Sequence, residues 1–204
     1  MEPSTERAPT SVYQRALGAD FERLAPELRG YFAHPDAGHV GRGTGVFEVA
    51  GSPARWMLPV LAYFGWRRIL FPEFGRDVPF VVTNTPGADC SLGAVRTLSF
   101  PNRDRSMEDT MRIVDGRLHD FLGRRRGLEA RFRLHIVDGA LTMTSDRLWL
   151  NLAGLRIRMP RFATVTVTEA WRDASQHVDV RLTSPLLGEW FSYRGSFSYR
   201  PEAP

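Results

Sequence analysis

Asp109 and Asp120 stand on either side of Asp115-Gly116. An Asp-Gly pair between two alternating apolar runs forms a two-residue hairpin turn with positive φ at both centres. That turn sets the register, so Met111 faces Asp120 and Asp109 faces Leu122. Met107, Asp109, Met111, Ile113, Leu118, Asp120 and Leu122 then share one face. The two carboxylates are diagonal neighbours on it, with backbones about 7–8 Å apart. On an apolar face they repel each other and lose hydration. Both effects raise a pKa, which is how a protein holds a general acid at neutral pH. A plainer reading of the same residues stands beside this one: both carboxylates sit in water at a sheet rim, or Arg96 neutralises them.

A second hairpin, at Asp138-Gly139, pairs Val137 with Ala140, Phe132 with Ser145 and Ala130 with Arg147. Its apolar face carries Phe132, Met143 and Trp149, with Arg147 as the one charge among them. Further on, Ala163, Val165, Val167 and Trp171 alternate with threonines, and Glu169 falls in the apolar set. Tyr193 and Phe197 face inward from the last strand. Arg147 and Glu169 read either as a buried structural ion pair or as groups that orient the polar end of a ligand in an apolar pocket. Asp109, Asp120, Glu169 and Arg147 are therefore the catalytic candidates. Trp149, Trp171, Tyr193, Phe197, Met111, Met143 and Phe132 are the candidates for substrate binding.

Other chemistry finds little support. His34 and His39 flank Asp36 in a loop, a weak metal pattern, and no metal site is expected. His119, His135 and His177 fall on polar faces, and Cys90 is the one cysteine, so no disulfide forms within the chain. Gly41, Gly43 and Gly45 alternate, but they do not follow a strand and open a helix as a dinucleotide fingerprint must. No phosphate loop, zinc-protease helix or nucleophile elbow is present, and no cofactor is expected.

These side chains need a frame to hold them. From Val78 onward the hydrophobic pattern has period two, with turn signals about every ten residues. Strands are expected at 78–85, 91–100, 106–114, 117–123, 128–137, 140–150, 162–171, 177–184 and 190–199, with one more ending around Val46–Ala50. A meander of about ten strands closes on itself to remove its edges. Ahead of it, Ser11 and Gln14 form a capping-box pattern, and Leu17, Phe21, Leu24 and Leu28 follow at helical spacing. Gly18 and Pro26 divide this stretch into two short helices. Ser52-Pro53 starts a third over Ala54–Leu70, with Pro59 expected to kink it. That aromatic helix either packs over the sheet, or lids a cavity, or touches a membrane or partner. The expected fold is mainly β (α+β): N-terminal helices on a roughly ten-stranded antiparallel barrel-like sheet, spanning 10–200, with a disordered leader at 1–9 and a tail at 201–204.

With 204 residues and 43% hydrophobic content, the chain suits one domain with a sizeable core. All 27 basic residues are arginines and the net charge is +4. That charge is modest, and the dense runs Arg67-Arg68 and Arg124–Arg126 do not make a continuous footprint, so no nucleic-acid partner is expected. Trp56 to Trp66, the longest apolar run, is about half of the roughly 20 residues a spanning helix needs, so no stable membrane insertion is expected. The N-terminus lacks a signal-peptide core, and a cytoplasmic location is the default.

Several stretches resemble the bacterial DUF4166 family, a domain of unknown function. They are Ser11-Val-Tyr-Gln-Arg-Ala-Leu-Gly18, Gly75-Arg-Asp-Val-Pro79, Leu148 through Pro160, and Ser184-Pro-Leu-Leu-Gly188 running on to Tyr193-Arg-Gly195. The resemblance implies a domain found alone or joined to NAD(P)-binding epimerase-like or dehydrogenase-like domains, with no agreed catalytic residues to carry over. The leading expectation is a cofactor-independent enzyme that holds a hydrophobic small molecule in a barrel cavity and catalyses cyclisation or isomerisation in natural-product biosynthesis. A carrier or sensor of a lipid or apolar metabolite is the alternative, as is an accessory domain for a separate NAD(P)-dependent enzyme. A homodimer or a partner enzyme in trans is compatible with each.

Overall fold

The computed structural model describes residues 10–33, 38–87, 89–152, 154–160 and 163–203. The leader reading and the His34 and Asp36 readings lie outside them. Within them the alternating segments pair in chain order: β1 (Val40–Gly51), β2 (Gly75–Pro86), β3 (Leu92–Phe100), β4 (Arg103–Val114), β5 (Arg117–Leu122), β6 (Leu128–Val137) and β7 (Ala140–Leu152). A short β8 (Leu155–Arg158) folds back on the far end of β7. β9 (Thr164–Arg172), β10 (Ser175–Ser184) and β11 (Gly188–Glu202) complete the set. β7 bonds to both β6 and β9, and β11 bonds to β1, so ten strands close into an antiparallel barrel with β8 outside the ring. Among the described residues each of the ten strands has a partner on both sides over part of its length, so none is an edge strand.

The hairpins follow from turn chemistry. Asp115-Gly116 has φ of 49° and 70°, and Asp138-Gly139 has 50° and 77°. The β9–β10 turn repeats this geometry at Asp173-Ala174, with φ of 48° and 55° and no glycine to signal it.

β1 reaches back to Val40, through the alternating glycines. Their inner positions are taken by aromatic rings from β11. A Cβ on Gly41 would overlap the Tyr199 hydroxyl, and one on Gly43 would stand 2.7 Å from Val82 Cγ1 and 2.9 Å from Phe197 Cδ2. Pro201 and Glu202 pair with Gly41 and Val40, so the wall extends into the segment expected as a tail.

Helices close both ends. α1 (Val12–Leu17) begins at Ser11 with the capping box in place: Gln14 N donates to Ser11 Oγ at 3.1 Å, and Ser11 N donates to Gln14 Oε1 at 2.8 Å. After a 3-10 turn at Gly18–Arg23, α2 runs from Pro26 to Phe32. The Ser11 hydroxyl donates to the Phe32 carbonyl at 2.6 Å, and Ala25 N donates to the Gly139 carbonyl at 3.0 Å. Tyr13, Phe21, Leu24, Leu28 and Phe32 thereby pack on Met111, Leu118, Phe132, Leu141 and Met143 and plug the mouth beside the β6–β7 turn. Each such side chain, fully buried, contributes roughly 1.5–3 kcal/mol.

α3 (Leu58–Trp66) covers the opposite mouth, following a 3-10 turn at Arg55–Met57. Pro59 does not kink it. It sits in the first turn, where its missing N–H has no intrahelical partner to lose. The helix is shorter than the 54–70 span expected, because Ile69, Leu70 and Phe71 turn inward onto Leu98, Phe100 and Phe191. Leu61 is buried, whereas Trp56, Val60, Tyr63 and Trp66 are exposed. Among the described residues, no helix is long and apolar enough to cross a membrane.

Candidate functional site

The barrel encloses a cavity of about 100 Å³. Phe47, Phe80, Val82, Val165 and Val167 give it an apolar wall, together with the expected Met111, Phe132, Met143, Tyr193 and Phe197. Into this wall project Asp109, Asp120, Glu169 and Arg96, while α1 and α2 bring Tyr13 and Tyr31 from the plug.

The β4–β5 register is the expected one, with Asp109 opposite Leu122 and Met111 opposite Asp120. Both carboxylates are buried, 8% and 6% exposed, which removes the wet-rim alternative. Arg96 forms an ion pair with Asp109 from the neighbouring β3. That pair leaves Asp109 Oδ2 and Asp120 Oδ1 buried without a hydrogen-bond partner among the described residues. Burial, and then the negative charge of Asp109, push the Asp120 carboxyl well above the usual carboxylate range, against a smaller opposing effect of Arg96. Burial and the Asp109 charge both favour the neutral form of Asp120, which is a hydrogen-bond donor in an apolar site.

Glu169, on β9, is 5% exposed and accepts a hydrogen bond from the Gln176 side chain. Burial raises its pKa to about 7, although Gln176 and Arg96 both favour the charged form. Burial also lifts the Tyr193 phenol to about 12, so it stays a neutral donor. For Arg96, burial is the largest single effect and works against the charge, but Asp109, Tyr193 and Tyr31 together outweigh it and raise the pKa of the guanidinium. The interior therefore combines an acid, a group that titrates near neutrality, and a fixed cation. Tyr13 Oη lies 3.1 Å from Met111 Sδ, which ties the plug to the cavity wall.

Three expected site residues lie elsewhere. A bulge on β7, where Asp146 is the extra residue opposite Arg131 and Phe132, shifts the upper β6–β7 register by one residue. Leu148, rather than Arg147, then faces Ala130, and Arg147 turns to the exterior. The Arg147–Glu169 pair does not form. Trp149 moves outward by the same step, opposite Glu129. Trp171 has the expected inward parity but stands at the end of β9, 38% exposed and beyond the cavity. The arginine that serves the interior is Arg96, and the spacing within β3 was the signal for it. Nothing in helical spacing marked Tyr13 or Tyr31 as cavity groups.

The outer face of β5 and β6 is not simply solvated. His119 and Glu129 are 4% and 2% exposed, and His119 Nδ1 lies 2.7 Å from Glu129 Oε1. From β8, Arg156 donates to both Glu129 oxygens, at 2.8 and 2.6 Å, and lies 4.0 Å over the Trp149 ring. Burial disfavours the Glu129 charge, but the hydrogen bonds from Arg156 and His119 outweigh it and hold this carboxyl below its ordinary range. Among the described residues, no group of three or more His, Cys, Asp or Glu is arranged to hold a metal ion.

Comparison with known proteins places the chain among relatives of equally undefined activity. The family model described as "Domain of unknown function (DUF4166)" matches residues 24–197. A protein of Bacillus subtilis (strain 168), described as "Uncharacterized protein YndH", is 29% identical over 206 residues, covering 92% of this chain and 96% of the relative.

Proposed function

The chain belongs to the DUF4166 family, whose description names no activity, and from the barrel interior we propose a cofactor-independent enzyme that moves a proton within a small, largely apolar carbonyl compound. The reaction is isomerisation, or a ring closure initiated in the same way. One observation carries this reading: Asp120, buried and partnerless at Oδ1, shares an apolar cavity with Glu169, whose pKa is about 7. Glu169 in its carboxylate form takes a proton from the carbon beside the carbonyl. The C–H electron pair moves into the carbonyl to give an enolate, whose oxygen accepts hydrogen bonds from neutral Asp120 and from Tyr193. Where the carbonyl compound is β,γ-unsaturated the enolate is a dienolate, and Glu169 returns the proton at the γ carbon as the double bond moves into conjugation with the carbonyl, so no proton or electron is gained or lost overall. Preorganised donors aimed at a developing oxyanion are effective in such a dry site, and a placed general base typically contributes 10²–10⁴-fold.

The volume limits the substrate. Drug-sized ligands occupy about 300 Å³ or more, and a cavity of about 150 Å³ holds benzene. At about 100 Å³, the closed interior suits a molecule of a few heavy atoms, or the reactive end of a longer one. Folding a long flexible chain for cyclisation requires displacement of a plug.

The test is deuterium exchange at carbon, followed by NMR, for a panel of small ketones and enones in D2O. Exchange accelerated by the wild-type protein, lost at least 100-fold in Glu169→Gln and reduced in Asp120→Asn, is the expected result. A panel that shows no exchange, while native mass spectrometry finds a bound apolar molecule retained in both variants, would favour a carrier. A partner enzyme in trans has a separate supporting observation, the exposed Val60, Tyr63 and Trp66 on α3 with Trp56 on the 3-10 turn before it.

A further inference from the structure

A second concavity, of about 940 Å³, lies on the outside of the barrel over β5, β6 and β7, between β8 and the Arg124–Arg126 turn. Fold closure gathers there what the sequence scatters. Arg67, Arg117, Arg125, Arg126 and Arg147 line it together with Arg131 and Arg156, and its acids are Asp115 and Glu129. Arg131 is held by Asp146, at 2.7 and 2.8 Å, and Arg156 by Glu129. Arg117, Arg125, Arg126 and Arg147 make no ion pair among the described residues, and Arg67 Nε is buried without a hydrogen-bond partner. Like charges collected in a concave site raise each other's energy and draw in counter-ions.

The floor of the cleft is ordered. His119 Nδ1 lies 2.7 Å from Glu129 Oε1, and the His119 ring stacks near those of Phe121 and Trp149, with centroids at 6.3 and 5.7 Å. Its Nε2 has no partner among the described residues, and the ring lines the cleft. A carboxylate-anchored imidazole offers its second nitrogen in one fixed direction.

We infer that this cleft binds a multiply charged phosphate ligand, a di- or triphosphate or its ester, with the four unpaired guanidinium groups on phosphate oxygens and His119 Nε2 beneath them. A single carboxylate would satisfy one guanidinium and leave the others facing one another. Phosphate oxygens match the planar guanidinium fork, and several of them in a row match several forks. The site is on the opposite side of the wall from the cavity, so it stands or falls independently of the interior chemistry.

The test is isothermal titration of the full chain with inorganic pyrophosphate at about 150 mM NaCl, with inorganic phosphate and citrate as comparisons. The expected result is one-to-one binding of pyrophosphate at least tenfold tighter than citrate, with a shift of the His119 ring proton resonances on saturation. An Arg117→Ala, Arg147→Ala double variant alters two exposed side chains without structural partners. It should keep the ligand-free melting temperature and lose at least tenfold in affinity. Absence of binding overturns the inference. So does equal binding of citrate, which would mark a general polyanion surface, or unchanged affinity in the double variant, which would put the anion elsewhere.

Discussion

Replacing Glu169 by glutamine should make the protein more stable at alkaline pH while removing the proposed chemistry. Glu169 is buried, and its pKa rises from an ordinary 4.5 to about 7 on folding. The folded state therefore binds a proton more tightly than the unfolded chain does. The stability linked to this group is fully present below about pH 4.5 and is lost as pH rises through 7. At roughly 1.4 kcal/mol for each pKa unit, the complete loss is about 3 kcal/mol, most of which develops between pH 5 and pH 8. Glutamine keeps the carbonyl that accepts from Gln176 and has no charge to desolvate. Urea unfolding of wild type and Glu169→Gln at the two pH values gives the difference directly. The variant should gain about 2–3 kcal/mol relative to wild type on going from pH 5 to pH 8, a relative rise of about 5–10 °C in melting temperature for a chain of this size. The comparison cancels any constant cost of placing the new NH₂ group. Identical pH dependence in the two proteins would mean that Glu169 is hydrated or already ionised, and the base assigned to the cavity would be lost with it.

Other substitutions probe the frame. Ala174→Gly should stabilise by about 0.5–1 kcal/mol, because residue 174 has φ of 55° and glycine adopts that region without a Cβ penalty; chemical denaturation at constant m-value measures it. Leu148→Ala should cost about 2–4 kcal/mol and Arg147→Ala less than about 0.5 kcal/mol. The reverse order in melting experiments would contradict the bulge at Asp146. Gly45→Ala should be more damaging than Gly41→Ala, because its new Cβ meets the Ser196 backbone carbonyl, whereas at Gly41 the tip of the Tyr199 side chain can move; parallel thermal melts rank them. Glu129→Gln should flatten the acid limb of the stability curve. The lowered pKa of Glu129 gives stability that is present above the ordinary carboxylate range and lost as pH falls through the lowered value. An unchanged acid limb would separate Glu129 from acid unfolding.

The two Asp-Gly turns made much of the wall readable. They fix register locally, and period-two alternation then carries the face assignment along each strand, which is why Asp109 and Asp120 were placed on the inner face. A bulge breaks that inheritance without a residue-type signal. The extra residue is Asp146 on β7, and because Leu148 and Trp149 after it are both apolar, alternation does not reveal the break from which Arg147 and Trp149 change sides. Trp171 shows a different limit, since parity gives a face but not how far along the strand the interior ends. His119 lies on the polar face expected for it, but the polarity of a face does not tell that the His119–Glu129 cluster is covered. It is buried because Arg156 arrives from β8, a pairing far away in sequence. Tyr13 and Tyr31 enter the cavity only because both short helices dock across a barrel mouth, a contact with no periodicity of its own.

The two capped mouths bear on kinetics. With α1 and α2 anchored across one end and α3 across the other, we propose that a molecule reaches Asp120 and Glu169 by lifting part of a cap. Exchange then proceeds through a first-order opening step that precedes capture. In stopped-flow mixing, the observed rate should climb with ligand concentration and then level off at the opening rate. Loosening the Ser11–Phe32 and Ala25–Gly139 hydrogen-bonded anchors should raise that plateau if the N-terminal cap is the gate, and weakening the Leu61 contact should raise it if α3 is.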